Sequence, residues 1–351
     1  RQLTVEDFGL PSRPPGAILL GTFLKSLSVS LSESNQQSFR FSRGIGVGAV
    51  DARGSVVTIG CFDGVHRGHQ ALVEHVIEQA RQRGLRSIAV TFDPHPEEYF
   101  SAEVCPPRLM RIRDKVEALR ALGVDEVVCL RFDDKLRTLS ADEFVEQVLI
   151  NRLATQHLVV GDDFKFGSDR SGDHQSLQQN GQRWGFTVED SPTLTLHNQR
   201  VSSTRIRELL GRGEFRKASE LLGRPFAIAG RVIHGQKLGR ELGFATANIN
   251  LQRYRAPLSG VFAVKVEVAG QSYIGSANVG LRPTVGDLDK PILEVHLLDF
   301  DGDLYGQRLL VEFVCKVREE QKFASFEALV EQIGRDVATT REYFNARNHI
   351  N

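Results

Sequence analysis

The densest cluster of side chains able to do chemistry is Gly60-Cys61-Phe62-Asp63-Gly64-Val65-His66-Arg67-Gly68-His69. Two imidazoles three residues apart, set among glycines, read as an anion site. His66 and His69 can donate hydrogen bonds to a phosphate of ATP, and Gly64 and Gly68 let the backbone approach it closely. The segment follows an apolar run, residues 56–59, and precedes a helical pattern that starts around Gln70. Unpaired helix amides and the positive end of the helix dipole then point at the same anion. Such donors stabilise negative charge as it builds up in a transition state and need no covalent intermediate. A zinc pair is disfavoured, because no third ligand stands at a suitable spacing.

Three more segments follow other predicted strand ends or open a helix. Phe92-Asp93-Pro94-His95-Pro96 is by itself a rigid proline turn. Gly161-Asp162-Asp163-Phe164-Lys165-Phe166-Gly167 is by itself an ordinary turn. Ser202-Ser203-Thr204-Arg205-Ile206-Arg207 opens a helix, where the hydroxyls of Ser203 and Thr204 can cap amides or bind phosphate. There Arg207 can reach a pyrophosphate with a planar fork of donors.

The second half of the chain has glycines at every fourth position, Gly235, Gly239 and Gly243, then a short extended segment with Thr246 and Asn248. This reads as a flap over phosphates or as a glycine-rich hairpin. No GxxxxGK[ST] occurs, so it is not a P-loop. Thr246 and Asn248 are two apart and point to one side of an extended backbone, where their neutral oxygens can join ATP phosphates around one Mg2+. Further on, Leu293-Glu294-Val295-His296-Leu297 alternates, placing Glu294 and His296 on one strand face. A carboxylate there can accept a hydroxyl proton or simply face solvent.

Taken in order, these segments resemble a known family. FDGVHRGH is an extended HxGH nucleotidyltransferase motif and resembles the flavin adenylyltransferase half of prokaryotic bifunctional riboflavin kinase/FAD synthetases. The FDPHP, GDDFKFG and SSTRIR segments resemble that family's FxPxP, GxDFxFG and SSTxxR motifs. The segment ending GFATAN resembles the riboflavin kinase motif GFPTAN, with Ala245 in place of proline. Ala277-Asn278-Val279-Gly280-Leu281-Arg282-Pro283-Thr284 and Arg318-Glu319-Glu320-Gln321-Lys322-Phe323 resemble it too, so the likeness runs from about residue 44 to about 345.

The resemblance implies phosphorylation of riboflavin to FMN and adenylylation of FMN to FAD. It places Glu294, His66, His69 and Arg207 as catalytic groups. Gly60, Phe62, Asp63, Gly64, Gly68, Pro94, His95, Pro96, Asp163, Phe164, Ser203, Thr204, Gly235, Gly239, Gly243, Asn278 and Arg282 are its substrate and nucleotide contacts, and Thr246 and Asn248 the metal ligands. The implied cofactor is Mg2+ with ATP, flavins being substrates and products. Losing the proline at Ala245 puts metal affinity or kinase rate in question. Two rivals stay open: an enzyme with only the adenylyltransferase active, and a flavin-binding module without turnover.

These residues need a frame. Short apolar runs at 56–59, 87–92, 127–131, 157–161 and 186–189 alternate with helical patterns, which predicts a parallel α/β sheet. One such helix carries Ile112, Val116, Leu119 and Leu122 and ends at Gly123; another opens with the capping box Ser140 to Glu143. After Leu222 the runs 226–233, 261–268, 272–277, 293–299 and 309–317 lack intervening helices, which predicts a small antiparallel barrel. A terminal helix with Ser325 as its cap packs on it. The expected fold is thus α/β plus β: a Rossmann-like HxGH nucleotidyltransferase domain over 44–222, then a β-barrel riboflavin kinase domain with a C-terminal helix over 223–351. Residues 1–43, rich in Ser, Gly and Pro, read as a poorly ordered extension.

Composition bounds the rest. With 351 residues, two domains are expected. Lys plus Arg and Asp plus Glu are 44 each, so no net field attracts nucleic acid. The apolar run from Ala17 to Leu24 is too short for a membrane span, and Glu6 and Asp7 spoil the basic flank a signal peptide needs. Four scattered cysteines without a CxxC fit a reducing cytoplasm. Small-molecule partners and a monomer or weak homo-oligomer are expected.

Overall fold

The computed structural model describes residues 3–4, 39–46, 53–101, 103–234, 246–282 and 290–348. Gly235, Gly239, Gly243, Ala245, Pro283 and Thr284 lie outside the described residues, as does nearly all of the expected extension. The described residues form two compact units. One holds those up to Cys105 together with Met110–Ser203; the other holds Pro106–Leu109 and those from Thr204 onward.

In the first unit, the strands in chain order are β1 (Leu3–Thr4), β2 (Arg40–Arg43), β3 (Ser55–Ile59), β4 (Arg86–Asp93), β5 (Glu126–Arg131), β6 (Thr155–Gly161), β7 (Thr187–Ser191), β8 (Leu194–Leu196) and β9 (Gln199–Arg200). Between them run α1 (Arg67–Arg83), α2 (Pro96–Phe100), α3 (Ile112–Ala121), α4 (Asp134–Arg137), α5 (Ala141–Phe144) and α6 (His174–Trp184). A six-stranded parallel sheet has the order β2-β5-β4-β3-β6-β7. Both faces are covered, and the alternation of side chains shows it. Val57, Ile59, Ile88, Val90, Val128, Leu130, Leu158 and Val160 pack in one cluster with Val145, Val148 and Leu149. Ala89 and Val127 lie in another with Val73 of α1 and Leu119 of α3. From β3 the chain fills one side of the sheet with β4 and β5, then returns to place β6 on the other side. The strand order therefore reverses between β3 and β6, the point at which open α/β sheets bind ligands beyond their carboxyl ends.

Several expectations shift. Helix α1 begins at Arg67 rather than near Gln70, because His66 caps it with its own ring. The capping box forms as expected, with both Ser140 and Glu143 bonds made, and π-helical turns over Val145–Ile150 continue it. Residues Arg40–Arg43, assigned to the extension, are an edge strand of the sheet. Ser42 Oγ donates to Glu126 Oε1 at 2.9 Å, and the buried Glu126 carboxylate also accepts from Arg86 at 2.9 Å. The sequence RFSR lacks an apolar period, so tertiary bonds rather than local pattern make this strand.

In the second unit the elements are α7 (Ser203–Gly211, whose first residue closes the first unit), α8 (Phe215–Leu222), β10 (Ala227–Ile233), β11 (Ala247–Asn250), β12 (Gly260–Val268), β13 (Gln271–Arg282), β14 (Lys290–Leu297), β15 (Arg308–Arg318) and α9 (Phe326–Asn348). The strands close an antiparallel barrel in the order β10-β11-β14-β13-β12-β15. Residues 204–222, expected with the first domain, pack here: Phe215 meets Phe262 edge-on at 5.8 Å and stacks near Phe313 at 6.2 Å. Burying such a ring contributes about 1.5–3 kcal/mol. Strand β13 runs on past Ala277 to Arg282, since Gly280 pairs with Ile292 instead of breaking the ladder. Helix α9 lies on β12, β13 and β15, with Ser325 Oγ accepting from Ala328 N–H at 3.3 Å.

Candidate active sites

The first site grows from the carboxyl end of β3. Gly60 N–H bonds to Val90 O at 3.0 Å and carries the chain out of the sheet. The next residues coil tightly: Phe62, Gly64 and Val65 have φ of 47°, 83° and 40°. Only glycine adopts this region freely, and for β-branched Val65 it is a strained conformation. The Phe62 and Val65 side chains, each 1% exposed, are fixed in the core and hold the coil in place. Phe62, expected among the nucleotide contacts, is thus a core side chain whose ring edge meets His69 at 5.2 Å.

Buried Asp63 accepts Met110 N–H on Oδ1 at 3.0 Å, and its carbonyl accepts from Ser203 Oγ at 2.8 Å. Ser203 therefore ties this loop down. His66 Nδ1 accepts His69 N–H at 3.3 Å, and the two rings stack with centroids 3.6 Å apart and planes 15° apart. An accepting Nδ1 leaves the proton of the neutral ring on Nε2, as a donor. A Cβ on Gly68 would come within 3.3 Å of the His66 ring, which explains glycine between the two histidines.

Two more groups act on residues of this loop or are bonded to it. His95, between Pro94 and Pro96, caps α2, its Nδ1 accepting Glu97 N–H at 3.3 Å. Burial pushes its pKa below the ordinary imidazole value, with Lys115 adding to the effect and Asp63, Glu97 and Glu98 opposing it. Lys115 is itself buried, and Nζ donates to Thr91 Oγ1 at 3.2 Å. Sequence reasoning missed this lysine; the signal was a charged residue on the apolar stripe of α3.

The ends of β6 and β7 open a cavity of about 480 Å³ lined by Asp162, Asp190, Ser191, Pro192, Thr193, Thr195 and Arg200. Carboxylates and hydroxyls of this kind suit a polyhydroxylated ligand. Asp163 beside it is exposed and paired with Arg200 at 2.7 Å, and Phe164 stacks on Phe166 at 5.7 Å. Thr204 and Arg207 lie on α7, where Arg207 Nε donates to Pro107 O at 2.7 Å.

The second site is a row across three barrel strands. Asn248 of β11 stands directly opposite Glu294 of β14, which in turn stands opposite Asn278 of β13. Directly opposed residues share a sheet face, so two amides flank one carboxylate. The alternate residues Ala247, Ile249, Leu293, Val295, Ala277 and Val279 are all buried and fix the register by filling the other face. Exposed Thr246 immediately precedes β11, and His296 lies along β14 opposite Ser276. Arg282 ends β13 opposite Lys290.

A second carboxylate, absent from the expected set, joins this row. A Cβ on Gly280 would fall 2.1 Å from Glu320 Oε1 and 3.4 Å from Asn278 Nδ2, so Glu320 occupies the space the glycine leaves open. Burial raises the Glu320 pKa; Arg318 opposes this and the charge of Glu294 adds to it. Arg318 grips Asp336 of α9 with bonds of 2.8 to 3.1 Å, and that aspartate is 4% exposed. The segment bearing Glu320 is thereby anchored at its root.

Comparison with known proteins places both parts of the chain in described families. Residues 49–205 match the family described as FAD synthetase, and residues 222–344 match that described as riboflavin kinase. A bifunctional riboflavin kinase/FMN adenylyltransferase of Pseudomonas fluorescens is 54% identical over 82% of this chain and 93% of its own length. Proteins of the same description from Haemophilus influenzae and Escherichia coli are 47% and 46% identical, over 84% and 83% of this chain and 96% and 93% of theirs. A crystal structure described as a macrolide-efflux protein from Streptococcus pneumoniae superposes with a TM-score of 0.68. It is 32% identical and covers 84% of this chain and 95% of that one.

Proposed function

The chain belongs to the family of bifunctional riboflavin kinase/FMN adenylyltransferases, and from that premise we propose how its residues divide the work. It phosphorylates riboflavin to FMN and adenylylates FMN to FAD. The observation that carries the division is that the two residue sets fall in different compact units: Asp63, His66, His69 and His95 in one, Asn248, Asn278 and Glu294 in the other. The proposed boundary between activities lies near residue 222.

In the first unit an FMN phosphate oxygen attacks the α-phosphorus of ATP and pyrophosphate leaves. His66 and His69 donate to the phosphate oxygens as charge accumulates, and the helix α1 terminus adds its amides. The polar cavity at the ends of β6 and β7 suits a ribose or ribityl chain.

In the second unit Glu294 accepts the proton of the riboflavin 5′-hydroxyl as that oxygen attacks the γ-phosphorus of ATP and ADP leaves. Asn248 and Asn278 orient the carboxylate's surroundings with neutral amides. Thr246 and Asn248 offer hard oxygen donors, the type Mg2+ prefers, and would hold it there. Bound with ATP, Mg2+ supplies charge that offsets the phosphates. Ala245, where the family has proline, is the proposed determinant of kinase rate.

Among the described residues no helix is long and apolar enough to cross a membrane, and none of the four cysteines is in a disulfide. These facts support a cytoplasmic protein, which we take to act as a monomer or weak homo-oligomer without nucleic acid. The test is a chromatographic time course with riboflavin, ATP and Mg2+. FMN that appears and then yields FAD is the expected result. Riboflavin left unchanged while added FMN yields FAD would mean a kinase silenced near Ala245, and no product from either substrate would overturn the reading in favour of a flavin-binding module.

A further inference from the structure

Helix α3 directs Ile112, Val116 and Leu119 inward, and Lys115 shares their stripe. Its side chain is 5% exposed, an uncommon position for an ammonium group, which loses much hydration there. Nζ donates to Thr91 Oγ1 at 3.2 Å, and that hydroxyl donates onward to the Cys61 carbonyl at 3.2 Å. Cys61 begins the coil that presents Asp63, His66 and His69. One hydroxyl therefore joins the buried ammonium to the phosphate loop.

We propose that Lys115 is a positioning residue for adenylyl transfer: from α3 its ammonium holds the Thr91 hydroxyl that ties the Cys61 end of the loop to β4, and its fixed positive charge acts on His95. The inference rests on adenylyl transfer taking place at His66 and His69. His95 caps α2 through an accepting Nδ1, which requires the neutral ring. The charged groups that act on it are Asp63 from the loop, Glu97 and Glu98 from α2, and Lys115 from α3. The three carboxylates favour protonation of His95 and would undo the cap. Burial and Lys115 oppose them, and Lys115 supplies the only positive charge in that set.

The test compares Lys115→Met and Lys115→Gln in the full chain, assaying FAD formation from FMN and, on the same samples, riboflavin phosphorylation. The expected result for Lys115→Met is a fall in kcat for FAD formation of about tenfold to a hundredfold, with KM for FMN little changed. The acid limb of its pH profile moves to higher pH, because His95 then protonates more readily. Lys115→Gln keeps an N–H for Thr91 and loses the charge, so its acid limb moves the same way with a smaller loss of rate. Kinase activity stays at the wild-type level in both. An acid limb unmoved in both variants overturns the inference, whatever their rates, since the lysine would then only fill space. His66→Ala run in parallel separates the premise from the inference. FAD formation surviving that change removes the premise, whereas its loss beside an unmoved acid limb in the lysine variants removes only the role of Lys115.

Discussion

The ring of His66 lies flat on that of His69 while its Nδ1 accepts the His69 backbone N–H, so one imidazole both caps helix α1 and stacks on the second imidazole of the motif. The accepting Nδ1 of His66 leaves its Nε2 as the donor of the neutral ring. Capping and catalysis can be separated by substitution. His66→Asn keeps a side-chain acceptor for the first helical turn and removes the ring. FAD formation is expected to fall by about a hundredfold or more, as on removing an oxyanion donor. His66→Ala loses as much activity and, in addition, about 1 kcal/mol of stability through the missing cap. Activity assays and thermal melts on the two variants check this; equal melting temperatures would sink the capping argument.

Glu294 between Asn248 and Asn278 leads to the reciprocal expectation. Glu294→Gln preserves shape and removes the proposed base, so riboflavin phosphorylation drops by about two to four orders of magnitude. FAD formation from supplied FMN is unchanged. Loss of both activities would show that the two sites are not independent.

Gly280 tests Glu320. The Cβ of Gly280→Ala would displace Glu320 Oε1, the far end of a flexible side chain, so the barrel itself loses little stability. The expected outcome is an unchanged melting temperature with reduced kinase activity and unimpaired FAD formation. Full kinase activity in Gly280→Ala would mean that Glu320 takes no part in the riboflavin site.

Asp336→Asn breaks the grip on Arg318. Removing one partner of a buried pair strands the other charge, and the expected cost is about 3 kcal/mol or more. A denaturant titration should show the barrel unfolding earlier, with kinase activity falling even under native conditions as the segment bearing Glu320 loosens. A loss within about 0.5 kcal/mol, the usual range for a surface change, would put Arg318 in the solvent.

Most of the frame was legible because it obeys local rules: alternating apolar runs gave the parallel strands, and Ser140 with Glu143 announced a helix start. The place of the His66 to His69 motif between a strand and a helix start was legible from residue types and position alone. What escaped depended on distant partners. Arg40–Arg43 has no strand pattern of its own and exists through β5 and the Glu126 cluster. The place of residues 204–222 beside the barrel follows from Phe215 meeting Phe262 and Phe313, a contact no local period reveals. Glu320 beside Asn278 joins residues far apart in sequence, through a space that Gly280 leaves. Lys115 was visible as an exception to a stripe, but only burial showed what the exception meant.

Acid should weaken the first unit through His157. This ring is 5% exposed, bonded to Thr187 Oγ1 at 2.7 Å and to Glu189 Oε2 at 3.0 Å, while Glu189 Oε1 also holds His75 at 2.8 Å. Burial lowers the His157 pKa and outweighs the Glu189 bond that would raise it. Burial also acts to raise the Glu189 pKa, but its bonds to the two histidines bring it below the ordinary carboxylate value. Unfolded, the histidine titrates at about 6.5. Between that value and its lower folded one, the unfolded chain binds more protons, so stability rises with pH and is lost as the pH falls below about 6.5. His95, also lowered, contributes with the same sign. The Glu189 share is present above the ordinary carboxylate value and disappears only in stronger acid. Melting temperature should therefore be flat above neutrality and decline from about pH 6.5 downward. His157→Gln, which keeps polar contacts without titrating, should make that decline shallower while leaving the part due to His95. A variant that declines as steeply as the wild type would show that His157 carries none of it.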